Sequence, residues 1–304
     1  MIIKKIRYNA KFLKKNQIVL DIETTGLSSL YDKLVLLGLI TYEKDSAYII
    51  QYFAERDLEE VRLLEIFLKK VEGKEIISYN GDTFDLPFLL TRLSHHKLPA
   101  NLIFDSLDIY KILRSKRNLI DFESMRLMDI EKLIDINRND PSRYKSISKL
   151  TEEIEFRDKP EPILIHNQND LIATENLINI DEIIKDKLSV KYKGYKFSLI
   201  SAQINNDVAK VVVESSKKLL DSYFSTANYQ FQSKDNKIII YFTVIYGRIS
   251  PKIGGYVTRN IYGIESKSPY KINPQMLIIK EGRMYNYQNI LNFGLEIIKE
   301  NLKL

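Results

Sequence analysis

Gln17-Ile18-Val19-Leu20-Asp21-Ile22-Glu23-Thr24-Thr25-Gly26 is an apolar run that ends in two carboxylates separated by one isoleucine. The apolar residues predict a strand over 17–23. Residues two apart on a strand point to the same face, so Asp21 and Glu23 project side by side. Two anions about 5–7 Å apart on a rigid strand repel and lose solvation unless a cation lies between them. The pair therefore points to a magnesium or manganese site, since hard carboxylate oxygens suit those ions.

Outward from this strand, Lys33–Thr41 and Ser46–Ala54 are β-rich runs, and the polar turn Glu43-Lys44-Asp45 makes them a hairpin. Leu58, Val61, Leu64, Phe67, Leu68 and Val71 recur at helical spacing, with Gly73 as the stop. Glu75–Tyr79 reads as a short strand. Asp85–Ser94 reads as a helix, because Pro87 falls in its first turn. Asn101–Asp108 contains a fifth strand, residues 109–160 are mostly helical, and Pro160 and Pro162 introduce one long helix, Ile163 to about Lys187.

Beyond Lys191 the pattern changes to β-hairpins: Phe197–Ile204, Val208–Glu214, Tyr229–Gln232, Lys237–Tyr246 and Met276–Lys280. A final helix runs from about Asn289 to Asn301. The expected division is 1–190 and 191–304. The first part is an α/β domain with a mixed five-stranded sheet flanked by helices, and the second is a smaller β-rich α+β domain.

Charge follows the same division. Residues 191–304 carry 17 Lys and Arg against 8 Asp and Glu, a net +9, while the remainder is −3. A basic, tyrosine-rich region beside an acidic one suggests a polyanion-holding module next to a catalytic one; a solvated basic surface with tyrosines serving strand propensity is the plain alternative. The absence of cysteine excludes disulfides, thiolate zinc sites and cysteine nucleophiles. No run of 18 apolar residues is present, and Met1–Arg7 lacks the apolar core and cleavage site of a signal peptide. A cytoplasmic protein with no membrane partner is the expectation.

Two further acidic signals lie downstream. In Ser78-Tyr79-Asn80-Gly81-Asp82-Thr83-Phe84-Asp85, a strand delivers a turn and Asp85 lands where a helix begins, the place of an N-cap. Asp82, beside Gly81, reads as a turn residue. In His166-Asn167-Gln168-Asn169-Asp170, positions 166 and 170 share a helix face, on which Thr174, Leu177 and Ile178 can be buried. His95 and His96 read as an exposed helix end with no role.

Taken together, an Asp-x-Glu on a strand, an Asp opening a helix and a His…Asp pair on a later helix resemble the DEDD, or DnaQ-like, superfamily of 3′–5′ exonucleases, which has the ribonuclease H fold. Asp21 to Leu27 is similar to its first motif and Asn80…Phe84-Asp85 to its second, notably the version in B-family polymerase proofreading domains. His166 to Asp170 occupies the place of the third. Asp105, in Phe104-Asp105-Ser106-Leu107-Asp108, fits the fifth-strand pattern of the YprB-type predicted exonuclease branch. One departure concerns spacing. The family's tyrosine class places tyrosine four residues before the last Asp and the histidine class uses five, and this chain has histidine at the tyrosine spacing.

The resemblance implies a two-metal-ion phosphodiesterase using Mg²⁺ or Mn²⁺. Asp21 would bridge both ions, Glu23 and Asp170 would complete one site, and Asp85 would support the other. His166 would be the general base or water-orienting group, its ordinary pKa near 6.5 suiting the task. The backbone around Thr24 and Thr25 would meet the terminal 3′ hydroxyl, Gly26 would let that backbone approach closely, Leu27 would wedge against the last base, and Asn80 belongs to the second motif beside the substrate. The implied partner is a single-stranded DNA or RNA 3′ end, DNA slightly preferred. A catalytically silent nucleic-acid-binding protein and a ribonuclease H-type endonuclease are the alternatives.

Overall fold

The computed structural model describes residues 1–134 and 147–302. The chain divides into two compact units, one comprising 1–114 and 123–180, the other 115–122 and 181–304. The structural break thus falls ahead of the 190/191 division expected from composition, and a short segment near residue 118 belongs with the C-terminal unit.

In the first unit, the strands β1 (Ile2–Tyr8), β2 (Gln17–Thr24), β3 (Leu34–Glu43), β4 (Ser46–Phe53), β5 (Glu75–Ser78) and β6 (Ser106–Asp108) form one sheet in the order β1-β4-β3-β2-β5-β6. β1 to β4 pair antiparallel with their neighbours, and β5 and β6 run parallel to β2. The sheet is mixed, as expected, but has six strands. The added one, β1, is an edge strand of alternating half-buried and exposed residues, so its apolar signal is diluted by Lys5 and Arg7. Helices α1 (Glu60–Val71) and α2 (Asp85–His95) cover one face. There Ile18, Leu20, Ile22, Leu37 and Leu39 pack with Leu63, Phe67, Phe88 and Leu89.

α3 (Ile109–Ser115), α4 (Leu127–Ile130) and α5 (Ile147–Phe156) follow β6. The helical expectation for 109–160 is met in these elements, and its portion at 135–146 lies outside the described residues. The expected long helix is two: α6 (Pro160–Asn176) and α7 (Ile180–Lys187), interrupted at Leu177, whose N–H closes the last turn onto Ala173. α6 packs across β2, β3 and β4. Ile163 and Leu164 meet Leu36 and Phe53 there, on the face opposite α1 and α2. At its far end, the buried Glu175 accepts the backbone N–H groups of Lys11, Phe12 and Leu13 and the Tyr8 hydroxyl, which ties the N-terminal strand to the helix.

The second unit is antiparallel throughout. β7 (Ser189–Tyr192), β8 (Tyr195–Asn205), β9 (Val208–Ser215), β10 (Ser222–Ser225), β11 (Tyr229–Lys234) and β12 (Lys237–Thr243) form a sheet in the order β10-β11-β12-β9-β8-β7. β13 (Ile245–Ser250), β14 (Ile253–Arg259), β15 (Met276–Glu281) and β16 (Met284–Tyr285) form a second, and α8 (Tyr287–Leu302) packs on β7, β8 and β15. Among the described residues no helix is long and apolar enough to cross a membrane.

Candidate functional site

β2 delivers Asp21 and Glu23 onto the face covered by α6, as alternation requires, while Ile18, Leu20 and Ile22 enter the opposite core. The ladder to β3 shifts register between Glu23 and Thr24, so regular pairing ends where the second carboxylate emerges.

Asp85 reaches the same place from α2. It is not the N-cap expected from sequence: Phe84 holds that position, and Asp85 is the first helical residue. Residues 80–84 wind into a turn in which the N–H groups of Thr83, Phe84 and Leu86 find backbone carbonyls at Asn80 and Gly81. That turn starts at Asn80, whose φ of 67° is left-handed, a conformation Asn tolerates better than most residues. The Asp85 carboxylate instead accepts the N–H of Ile22 at 3.3 Å.

The turn has its own anchor, absent from the sequence-based set. Asp108, buried at the end of β6, accepts the N–H groups of Asn80 at 2.8 Å, Asp82 at 3.3 Å and Tyr110 at 3.0 Å. Asp105, the residue singled out on the fifth strand, lies just before β6 and contributes its backbone carbonyl to Ile76. The strand is only three residues long, and its last residue, Asp108, is the acid that meets the turn. Asp82 is a turn residue paired with Lys111 at 2.6 Å.

α6 supplies the rest. His166 Nε2 lies 3.7 Å from Asp170 Oδ2, the i to i+4 neighbourhood that the spacing demands. Between them on the buried stripe of the helix stands Asn167, which sequence reasoning passed over. It is fully buried, and its amide nitrogen donates to Asp21 Oδ2 at 2.7 Å. The signal was present, since a polar residue interrupts the stripe Leu164, Asn167, Leu171, Thr174.

The electrostatics bind these groups into one site. Burial pushes the Asp21 carboxyl well above the usual range, and the charges of Asp170, Glu23 and Asp85 push it further, against the hydrogen bond from Asn167. Glu23 is pushed up to about 8, first by burial and then by Asp170 and Asp85, while His166 pulls it down. Asp85 is pushed up to about 7 by burial, with backbone N–H groups opposing and Asp108 and Asp170 adding to the rise. Asp21 and Glu23 retain some exposed surface, so the cluster is reachable from outside. Among the described residues, no three Asp, Glu or His side chains form a ready-made metal-ligand group. The donor chemistry, all carboxylate oxygen with one imidazole nearby, nonetheless suits a hard divalent cation.

The loop after β2 is held by its own contacts. The Thr24 hydroxyl donates to Gly26 carbonyl at 2.7 Å, the Thr25 hydroxyl accepts from Lys33 N–H at 3.0 Å, and Asp32 accepts Ser28 N–H at 2.8 Å. Gly26 packs against the Asp32 carboxylate, which a Cβ would strike. Leu27, 83% exposed, projects from this closed loop. Below it, Glu60 accepts Leu34 N–H, pairs with the buried Arg92 at 2.7 Å and meets His96 at 2.8 Å. His96 is thus half-buried against a carboxylate rather than an idle exposed end, whereas His95 is exposed.

A family model described as the RNase_H superfamily matches residues 18–180. Over 124 residues the chain is 30% identical to "Uncharacterized protein YprB" of Bacillus subtilis (strain 168), a match covering 40% of this chain and 30% of that protein. It is 26% identical over 174 residues to a component of the nuclease SbcCD of Staphylococcus haemolyticus (strain JCSC1435), covering 54% of this chain and 16% of that protein. Among solved structures, the family B DNA polymerase of the hyperthermophilic archaeon Pyrobaculum calidifontis aligns at 16% identity and a TM-score of 0.40, over 64% of this chain and 33% of the polymerase. The chain spans a third or less of each of these proteins.

Proposed function

Because this chain belongs to the RNase H superfamily, whose family model covers residues 18–180, we propose that it is a metal-dependent 3′–5′ exonuclease acting on single-stranded nucleic acid, DNA in preference to RNA. The observation that carries this reading is that three elements far apart in sequence bring their acids to one place: Asp85 accepts the N–H of Ile22 between Asp21 and Glu23, and Asn167, three residues before Asp170 on α6, donates to Asp21. Enzymes of this fold generally use divalent metals. These four carboxylates would hold two Mg²⁺ or Mn²⁺ ions, which when bound offset charge on the attacking and leaving oxygens of a phosphodiester.

The chain's own groups divide the remaining work. His166, beside Asp170, would take or orient the proton of the attacking water. The closed loop from Thr24 to Lys33 presents Leu27 as an apolar contact for a terminal base, which favours an end over the interior of a strand. Because the Thr24 and Thr25 side chains are committed within the loop, the contact to a 3′ hydroxyl falls to its backbone. The basic second unit is read as a module that holds phosphates further along the strand.

End-labelled single-stranded DNA and RNA incubated with Mg²⁺ or Mn²⁺, with EDTA as control, test the reading. A ladder shortening from the 3′ end is expected only with metal. Internal cuts would make the protein an endonuclease, and binding without cleavage a silent scaffold.

A further inference from the structure

We propose that Asn167 is a positioning residue that sets the orientation of the Asp21 carboxylate, and that Gln51 dictates the polarity of that contact; the proposal rests on the nuclease reading above. Asp21, Gly38 and Gln51 stand on one rung across β2, β3 and β4. Neighbouring strands lie about 4.8 Å apart, so the two polar residues flank a gap of roughly 10 Å with Gly38 at its centre. Asn167 descends from α6 into that gap, and a Cβ at position 38 would collide with its carboxamide.

The direction of every bond in this chain follows from one end. The Leu164 carbonyl can only accept, so the buried Gln51 must present its amino group, and does so at 2.7 Å. The same Nε2 donates to Asn167 Oδ1 at 2.8 Å. Asn167 is left with only its amino group to face Asp21, donating to Oδ2 at 2.7 Å and to the backbone carbonyl at 3.3 Å. That contact fixes the plane of the Asp21 carboxylate from the helix side, while an ionised carboxylate keeps further lone pairs for a cation. The same contacts key α6 onto the sheet one residue from His166 and three from Asp170. A helix carbonyl therefore determines, through two side-chain amides, how the central carboxylate is presented.

Mn²⁺ titration of the whole chain, without substrate, tests this alongside steady-state kinetics on labelled single-stranded DNA. Asn167→Ala is expected to weaken Mn²⁺ binding and lower kcat by about 10–100-fold each, with KM little changed. Gln51→Met leaves Asn167 and Asp21 in place but removes the donor that orients them, and is expected to lower both by about threefold or more. Thermal unfolding in EDTA establishes which variants fold, and Gln51→Met carries the test should Asn167→Ala not fold. Folded variants with wild-type Mn²⁺ affinity and kcat overturn the positioning role alone. A wild-type chain that binds no Mn²⁺ overturns the nuclease reading, and this proposal with it.

Discussion

The carboxylate of Asp85 accepts the backbone N–H of Ile22, the residue between Asp21 and Glu23. The first residue of α2 is thereby tied to the strand segment that carries the other two acids, and three carboxylates are held together by a single main-chain contact. Asp85→Asn keeps an oxygen for that N–H but removes the charge. It is expected to cut hydrolysis by at least on the order of 10²–10³ with the fold retained, and Asp170→Asn likewise. Circular dichroism and single-turnover rates check both, and normal turnover by a folded variant would sink the metal assignment.

His166 is expected to be separable from the acids proposed to hold metal. His166→Ala is expected to slow the reaction by on the order of 10²–10⁴ while Mn²⁺ affinity stays within a few-fold of wild type. A rate unchanged at saturating metal would move the proton role to another group.

The raised carboxyls give stability a definite pH dependence in the absence of divalent metal. Glu23 titrates near 8 in the folded chain against its ordinary 4.5, and Asp85 near 7 against 3.8. Between each pair of values the folded chain holds a proton that the unfolded chain has released. Their contribution is therefore complete on the acid side and is lost as the pH rises through the folded value. In EDTA the unfolding midpoint is expected to be higher near pH 5.5 than near pH 8, and Glu23→Gln to flatten the difference. Glu43 runs the other way, lowered to about 2 by Lys5 and Lys70, but loses its contribution only below that window. A midpoint that rises between pH 5.5 and 8 in EDTA contradicts the assignment.

Asp108 is expected to matter for the fold of the site rather than for chemistry. Asp108→Ala strands three backbone donors of the turn that leads to Asp85. A loss of about 2–4 kcal/mol in urea unfolding is expected, since each bond to a charged acceptor is worth about 1.5–3 kcal/mol and effects overlap. A loss below about 0.5 kcal/mol would mean that the turn is held by other contacts.

Much of this was readable from local pattern. Alternation along 17–23 places Asp21 and Glu23 on one face, and helical periodicity places His166 beside Asp170, because both relations are set by backbone geometry within a few residues. The mixed sheet followed from the order of strands and helices. The edge strand β1 did not, because Lys4, Lys5 and Arg7 interrupt the apolar pattern of a half-buried strand. The break after Asn176 was hidden for a different reason: no proline or glycine marks it.

What periodicity could not reach were the choices between chemically equivalent residues. Asp105 and Asp108 are both acids at the same strand, and only the turn at Asn80 distinguishes them. Asp85 resembles a cap until the preceding turn satisfies the helix amides and frees its carboxylate for Ile22. Asn167 and Gln51 are polar residues inside apolar patterns, and their purpose depends on Gly38 opening the rung between Asp21 and Gln51. Local sequence specifies where a side chain points relative to its own element. Which partner it finds depends on how sheet and helix dock, and those contacts join residues more than a hundred positions apart.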